Sequence, residues 1–105
     1  MDKIHHIAIQ ELNITRGVDS SVNNFDTEIL YRGESWDFLK FQNINLDLVL
    51  SDQQQPHISF EKKDADKYGE LAPHRVTSAS IYIDDPFNNK IEILKNNNKK
   101  HKNNE

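Results

Sequence analysis

The chain of 105 residues has the length of one small domain. Its net charge of −4 excludes the basic surface that is typical of nucleic-acid-binding proteins. It contains no cysteine, which excludes disulfide scaffolds, thiol catalysis and thiolate metal sites.

The sequence shows neither a signal peptide at its start nor an apolar run long enough to span a bilayer. We therefore expect a cytoplasmic protein that binds neither membranes nor nucleic acid. A domain this small buries a limited share of its surface, so a homodimer would supply further burial.

The first half of the chain reads as a strand, a helix and three strands. Alternation predicts the first strand at residues 4–10, and apolar residues at helical spacing from Ile14 to Phe25 predict a helix with Asn13 or Thr15 as its N-cap. The strands that follow are predicted at residues 28–32, 36–41 and 44–50.

The second half repeats this order in a shorter form. Strands are predicted at residues 57–61, 78–83 and 90–94, with a short helix at 64–71 and a turn at 84–89. Strands joined by short turns and two helices indicate the α+β class. We predict one domain at 1–94, with modules at about 1–52 and 53–94, and a disordered polar tail at 95–105.

Each half places one histidine on its first strand and one carboxylate on its last. His6-Ile7-Ala8-Ile9 is similar to His57-Ile58-Ser59-Phe60, and Asn45-Leu46-Asp47-Leu48 is similar to Lys90-Ile91-Glu92-Ile93. The strand period of two puts each candidate ligand on the face opposite the large aliphatic residues. We expect the aliphatic faces to pack under the helices, and the polar faces to converge if the sheet curls into a cup.

Two imidazoles with one or two carboxylates suit a divalent transition metal. The candidate metal ligands are therefore His6, Asp47, His57 and Glu92. Iron, nickel, zinc, manganese and cobalt all accept such ligands, so the sequence does not distinguish among them.

The opening residues 4–9, the segment 56–60 and the closing residues 85–94 resemble the vicinal-oxygen-chelate superfamily. It includes glyoxalase I, extradiol dioxygenases, methylmalonyl-CoA epimerase and bleomycin-resistance proteins. The resemblance implies two βαβββ modules that form a cup-shaped, incomplete β-barrel, and it implies frequent dimers. It also implies first-strand and fifth-strand ligands at His6 and His57, and fourth-strand and last-strand ligands at Asp47 and Glu92.

The chain departs from the family pattern at three places. Asp47 stands where glyoxalase-like members usually carry the longer Glu. If Asp47 does not reach the metal, the remaining ligands form a His-His-Glu triad. Asn88 stands where the family carries Gly, and Asn tolerates the left-handed backbone of such a turn. Residues 62–77 leave little room for a full helix and strand, so the second module is shortened and its second strand absent or reduced to Arg75-Val76.

The resemblance favours a metal-dependent enzyme that acts on a small oxygenated metabolite by isomerase, lyase or dioxygenase chemistry. Glu92 and Glu61 are the candidate catalytic carboxylates, and Arg75, Tyr82 and Trp36 are candidate substrate contacts. The structural alternatives are a solvated Glu61, a surface ion pair for Arg75, and ring packing for Tyr82 and Trp36. At the level of function, the alternatives are a metal-free small-molecule binding or sequestration protein and a partner-binding subunit.

Overall fold

The computed structural model describes residues 1–52, 54–75 and 78–96, and the side chains of residues 74 and 75 are not among the described parts. One α-helix, one 3₁₀ helix and eight strands make up this part of the chain. In chain order they are β1 Lys3–Glu11, α1 Ile14–Asn24, β2 Glu28–Arg32, β3 Trp36–Lys40, β4 Asn45–Leu50, β5 His57–Glu61, the 3₁₀ helix Ala65–Tyr68, β6 Ala72–Arg75, β7 Ser78–Asp84 and β8 Lys90–Asn96.

The strands form one open sheet in the order β2-β3-β4-β1-β5-β8-β7-β6. β1 and β4 are parallel, whereas β2-β3-β4 and β6-β7-β8 are antiparallel series. Pro73 lies in the edge strand β6, where the missing N–H costs no hydrogen bond in the ladder. The predicted α+β fold, with a sheet that does not close into a barrel, is confirmed. The expectation that the second strand of the second half is absent or reduced to Arg75-Val76 is wrong, because this strand is β6, Ala72–Arg75.

Residues 6–58 form one compact unit, and α1 supplies its core. The side chain of Asn13 accepts a hydrogen bond from the backbone N of Arg16 at 3.0 Å, so the predicted N-cap at Asn13 is confirmed. The buried cluster joins the helix to β3 and β4 through Ile14, Val18, Leu39 and Leu48.

The other compact unit consists of Met1–His5 and the described part of Ser59–Glu105. Its helical element is a single 3₁₀ turn, Ala65–Tyr68, whose Ala65 is fully buried. Gly69 ends this turn at a φ of 145°, a conformation that favours glycine. β8 continues through Asn96 and so includes the first two residues of the predicted tail, whereas the rest of that tail lies outside the described residues.

The buried faces of the strands differ from the expected ones. His6, Asp47, His57 and Glu92 are all buried, whereas Ile9 and Ile58 keep 38% and 37% of their surface exposed. The expectation that the aliphatic faces lie under helices holds for Leu48 on β4 and is wrong for Ile9 and Ile58 on β1 and β5. The face that carries the candidate ligands is the better protected one on these two strands.

The turn between β7 and β8 has the backbone expected from its sequence. Asn88 adopts a φ of 66°, so asparagine occupies the left-handed position without glycine. The carboxylate of Asp85 accepts hydrogen bonds from the backbone N–H groups of Phe87 and Asn89, both at 2.9 Å. Within the described parts of the chain, no helix is long and apolar enough to cross a membrane.

Candidate metal centre

His57 is the first residue of β5, and its ring is fixed by the backbone that precedes it. Nδ1 lies 2.9 Å from the carbonyl oxygen of Gln55. Because a carbonyl oxygen only accepts hydrogen bonds, Nδ1 is the donor, and of the two neutral tautomers this contact fits the one whose Nε2 can ligate a metal. A backbone carbonyl on the distal nitrogen is the usual support of a metal-ligating histidine.

His6 and Asp47 lie together on the parallel pair β1 and β4. Nε2 of His6 is 3.9 Å from Oδ2 of Asp47, and both side chains are buried. Two donors that each lie about 2.1 Å from one ion can be separated by at most about 4.2 Å. The separation of 3.9 Å lies below this limit, so both atoms could ligate one ion, but it is too long for a hydrogen bond between these two atoms.

The two imidazoles contact each other edge to face. The ring centroids of His6 and His57 are 5.6 Å apart at an interplanar angle of 76°. Phe38 packs its ring against His6 at 5.7 Å and 83°, which shields the imidazole from water. Two buried nitrogen donors with a carboxylate beside them fit a divalent metal, since a cation would compensate the buried negative charge.

Glu92 belongs to the other compact unit, where it lies at the centre of β8. It is fully buried, and its register partner on β7 is Tyr82. A buried carboxylate is costly unless a cation or hydrogen bonds compensate it. Like His6 and His57, Glu92 offers one buried ligand atom for a metal.

Tyr82 and Glu61, which the sequence indicates as a substrate contact and a catalytic carboxylate, line cavities in the same unit. Tyr82 is 40% exposed and lines a cavity of about 390 Å³ together with the buried Ser80. Glu61 is half-buried at the end of β5, and it borders a separate cavity of about 420 Å³ beside Lys62 and Asp64. Glu61 and Tyr82 thus lie in different surroundings, and the cavity at Glu61 is the more charged.

Arg75 and Trp36 are the remaining two candidate substrate contacts. The side chain of Arg75 lies outside the described residues, so its predicted role stays a prediction. Trp36 is half-buried and stacks on Tyr31, with the ring centroids 4.1 Å apart. It also contacts Phe38 edge to face at 6.2 Å.

Sequence reasoning missed three groups in the unit formed by residues 6–58. The Gln55 carbonyl is a backbone atom, so no side-chain pattern could have indicated it. Tyr31 could have been found by aligning β2 with β3, because it lies opposite Phe38. Asp37 is fully buried on β3, where its Oδ1 accepts a hydrogen bond from the backbone N of Gly33 at 2.7 Å, and the turn sequence alone does not predict this bond.

No protein-family model matches the chain, and no curated protein is a significant match. Among solved structures, "NAD-dependent benzaldehyde dehydrogenase" from Legionella pneumophila is similar with a TM-score of 0.65 and 13% identity, over 87% of this chain and 97% of that one.

Two further solved structures are similar at lower TM-scores. "Glyoxalase/bleomycin resistance protein/dioxygenase" from Alicyclobacillus acidocaldarius is 19% identical with a TM-score of 0.43, over 93% of this chain and 94% of that one. "Lactoylglutathione lyase" from Agrobacterium tumefaciens is 17% identical with a TM-score of 0.36, over 88% of this chain and 92% of that one. The likeness to the Legionella structure, at 13% identity, concerns the fold alone.

Proposed function

We propose that the chain is a metal-dependent enzyme of the glyoxalase or dioxygenase type that acts on a small oxygenated metabolite. In this proposal His6, His57 and Glu92 hold one divalent metal ion. The observation that carries the proposal is the buried imidazole pair, in which the Gln55 carbonyl directs the lone pair of His57 to Nε2.

The burial of the three residues supports this ligand set. All three side chains are buried, and each supplies one donor atom. Two histidines and one carboxylate leave positions open on a divalent ion, which suits substrate binding.

A bound metal would polarise the oxygens of the substrate and stabilise negative charge that develops on them. The residues of the chain would do the rest. Gln55 orients His57, and Asp47 lies close enough to His6 to join the ligand set. Phe38 excludes water from the imidazole of His6, which strengthens electrostatic interactions there.

The remaining candidates complete the proposed site. Glu92 or Glu61 would move a proton at the substrate, and Tyr82, Trp36 and Arg75 would contact it. The cavity beside Tyr82 supports a substrate contact at that residue, because Tyr82 lies opposite Glu92 on the neighbouring strand. For Glu61, the half-buried carboxylate at the charged cavity supports an acid or base role.

Metal analysis of the untagged protein, purified without chelator, tests the proposal. We expect near-stoichiometric metal in the wild type and its loss in His57→Ala. His5→Ala is the matched control, because it removes an imidazole from the same strand as His6 but from its other face. Absence of metal, together with no uptake of added iron, nickel, zinc, manganese or cobalt, would reject the proposal.

Asp47→Ala separates two chemistries within the proposed class. A large loss of metal affinity would identify Asp47 as a ligand and would favour proton-transfer chemistry of the glyoxalase type. Unchanged affinity would leave a His-His-Glu triad and would favour dioxygenase-type iron chemistry. The distance of 3.9 Å between Asp47 and His6 is compatible with both results.

A metal-free binding protein is the alternative function, and the short second half favours it. A single 3₁₀ turn and a four-residue β6 leave the cavity beside Tyr82 bordered by few elements. Thermal stabilisation by a small molecule that is unchanged by chelator would support this alternative.

The proposed setting is a homodimer in the cytoplasm. The exposed Ile9 and Ile58 support a second copy, which would bury apolar surface that one chain leaves in water. Sedimentation equilibrium of the wild type and of Ile58→Lys would test it, since a lysine at the contact would shift the population toward monomer.

A further inference from the structure

Tyr31 and Trp36 form a stacked pair of rings, here called the aromatic shelf. The two rings are stacked at 4.1 Å with an interplanar angle of 20°. Tyr31 lies on the edge strand β2 and is 45% exposed, whereas Trp36 begins β3 and is half-buried. The pair therefore presents aromatic surface to solvent at the edge of the sheet.

The turn between β2 and β3 is shaped around the ring of Tyr31. A Cβ atom on Gly33 would lie 2.7 Å from the Tyr31 hydroxyl and 2.8 Å from its Cε2. The backbone N of Gly33 donates to the buried Asp37 at 2.7 Å, which fixes the turn. A glycine in this place lets the phenol ring lie back over the turn and against Trp36.

The aromatic shelf is adjacent to His6 without reaching it. Tyr31 lies opposite Phe38, and Phe38 lies opposite Asp47, so these three side chains share one face of the sheet. Phe38 contacts Trp36 at 6.2 Å and His6 at 5.7 Å. One ring thus separates the shelf from the imidazole, and a group that stacks on the shelf cannot also occupy the ligand position beside His6.

We infer that the substrate of the proposed enzyme has two parts: a flat aryl group that stacks on the aromatic shelf, and oxygen donors at its other end that bind near His6. The inference rests on the proposed metal site. Stacking on an aromatic side chain contributes about three- to tenfold in affinity. The aryl group is a recognition element in this scheme, because it lies apart from the oxygens that would react.

Two probes with the same chelating group test the inference on metal-loaded protein. Acetohydroxamate carries the oxygen donors alone, and 2-naphthylacetohydroxamate adds a flat aryl group. We expect the naphthyl probe to bind the wild type about three- to tenfold more tightly in calorimetric titrations. We also expect it to change the fluorescence of Trp36, the single tryptophan of the chain.

Three variants locate the effect. Tyr31→Leu removes the exposed ring, and Gly33→Ala keeps both rings but forces the ring of Tyr31 out of its present position. In both, the affinity ratio of the two probes should fall toward one, while the affinity for acetohydroxamate stays unchanged. Tyr68→Leu is the matched control, because Tyr68 is also partly exposed but lies in the other compact unit. It should keep the wild-type ratio.

The outcomes separate the two proposals. The aryl inference is overturned if acetohydroxamate binds and the naphthyl probe binds no more tightly. It is also overturned if the naphthyl probe keeps its higher affinity in Tyr31→Leu. Both results leave the proposed metal site unaffected. No binding of acetohydroxamate to protein mixed with metal overturns the proposed function, and the two-part substrate with it.

Discussion

The two compact units hold their candidate ligands on unequal supports: His6, Asp47 and His57 lie in residues 6–58, and Glu92 lies in the other unit. In residues 6–58 an eleven-residue helix packs on β3 and β4, and Ile14, Val18, Leu39 and Leu48 form a continuous buried cluster. In the other unit a four-residue 3₁₀ turn takes the place of that helix. Even so, Glu92 on β8 is as fully buried as His6 on β1.

The comparison indicates that burial of the candidate ligands does not depend on a full helix behind the strand. A helix covers the opposite face of a sheet, and its main contribution is to the apolar core. The helix-backed unit should therefore provide more of the packing energy. Substitutions in each unit can test this unequal division of packing energy. The expected effects on stability range from several kilocalories per mole down to a change in its pH dependence.

The largest effect is expected in the helix-backed core. Leu48→Ala removes a fully buried side chain from the cluster beneath α1 and should lower the free energy of unfolding by about 4 kcal/mol. Ile93→Ala in the other unit should cost about 2 kcal/mol, because fewer elements surround it. Urea denaturation measures both. An equal or larger cost for Ile93→Ala would contradict the proposed inequality.

The sequence predicts the strands well because alternation and turn residues are local properties. It also predicts that His6 and Asp47 share the face opposite the aliphatic residues. It does not predict which face is covered, because a period of two only separates the faces. The exposed Ile9 and Ile58 show this limit, since burial depends on partners distant in the chain.

The candidate site could be predicted only in part for the same reason. The candidate histidines and carboxylates can be found from the internal repeat of the amino-acid sequence. The Gln55 carbonyl that fixes the His57 tautomer and the turn that holds Tyr31 are consequences of backbone geometry. No side-chain pattern encodes such backbone contacts, so they required coordinates.

A second test compares one glycine from each unit. Gly69→Ala should lower the free energy of unfolding by about 2 kcal/mol, because the backbone has a φ of 145° and a Cβ would lie 2.6 Å from Ile81 Cδ1. Gly17→Ala in α1 should change it by less than about 1 kcal/mol, since the gain in helix propensity opposes crowding against Glu11. Thermal melts of both variants would reveal the difference, and equal effects would refute it.

A third test concerns the start of the only α-helix in the described residues. Asn13→Ala removes the side-chain acceptor for the backbone N of Arg16 and should cost about 1 kcal/mol. Asn13→Asp keeps an acceptor at the same position and is the control that should stay close to the wild type. Urea denaturation followed by circular dichroism measures both. A destabilised Asn13→Asp would show that the cap is not the cause.

The smallest effect is expected at the β7–β8 turn, where the half-buried Asp85 acts through hydrogen bonds. The Asn89 side chain donates to the carboxylate at 2.8 Å and, with the backbone N–H groups of Asn89 and Phe87, holds its pKa below the usual value of 3.8. A lowered pKa in the folded state means that the ionised carboxylate stabilises the turn above pH 3.8. This contribution is lost as the pH falls through 3.8 and then through the lower folded value.

Asp85→Asn removes this titration and leaves an oxygen that can still accept from the backbone. The variant should therefore lose less stability than the wild type between about pH 4 and pH 2, a difference that urea midpoints at several pH values would measure. Asp52→Asn, at another exposed turn, is the control and should follow the wild-type curve. Parallel curves for wild type and Asp85→Asn would mean that Asp85 does not stabilise the turn through its charge.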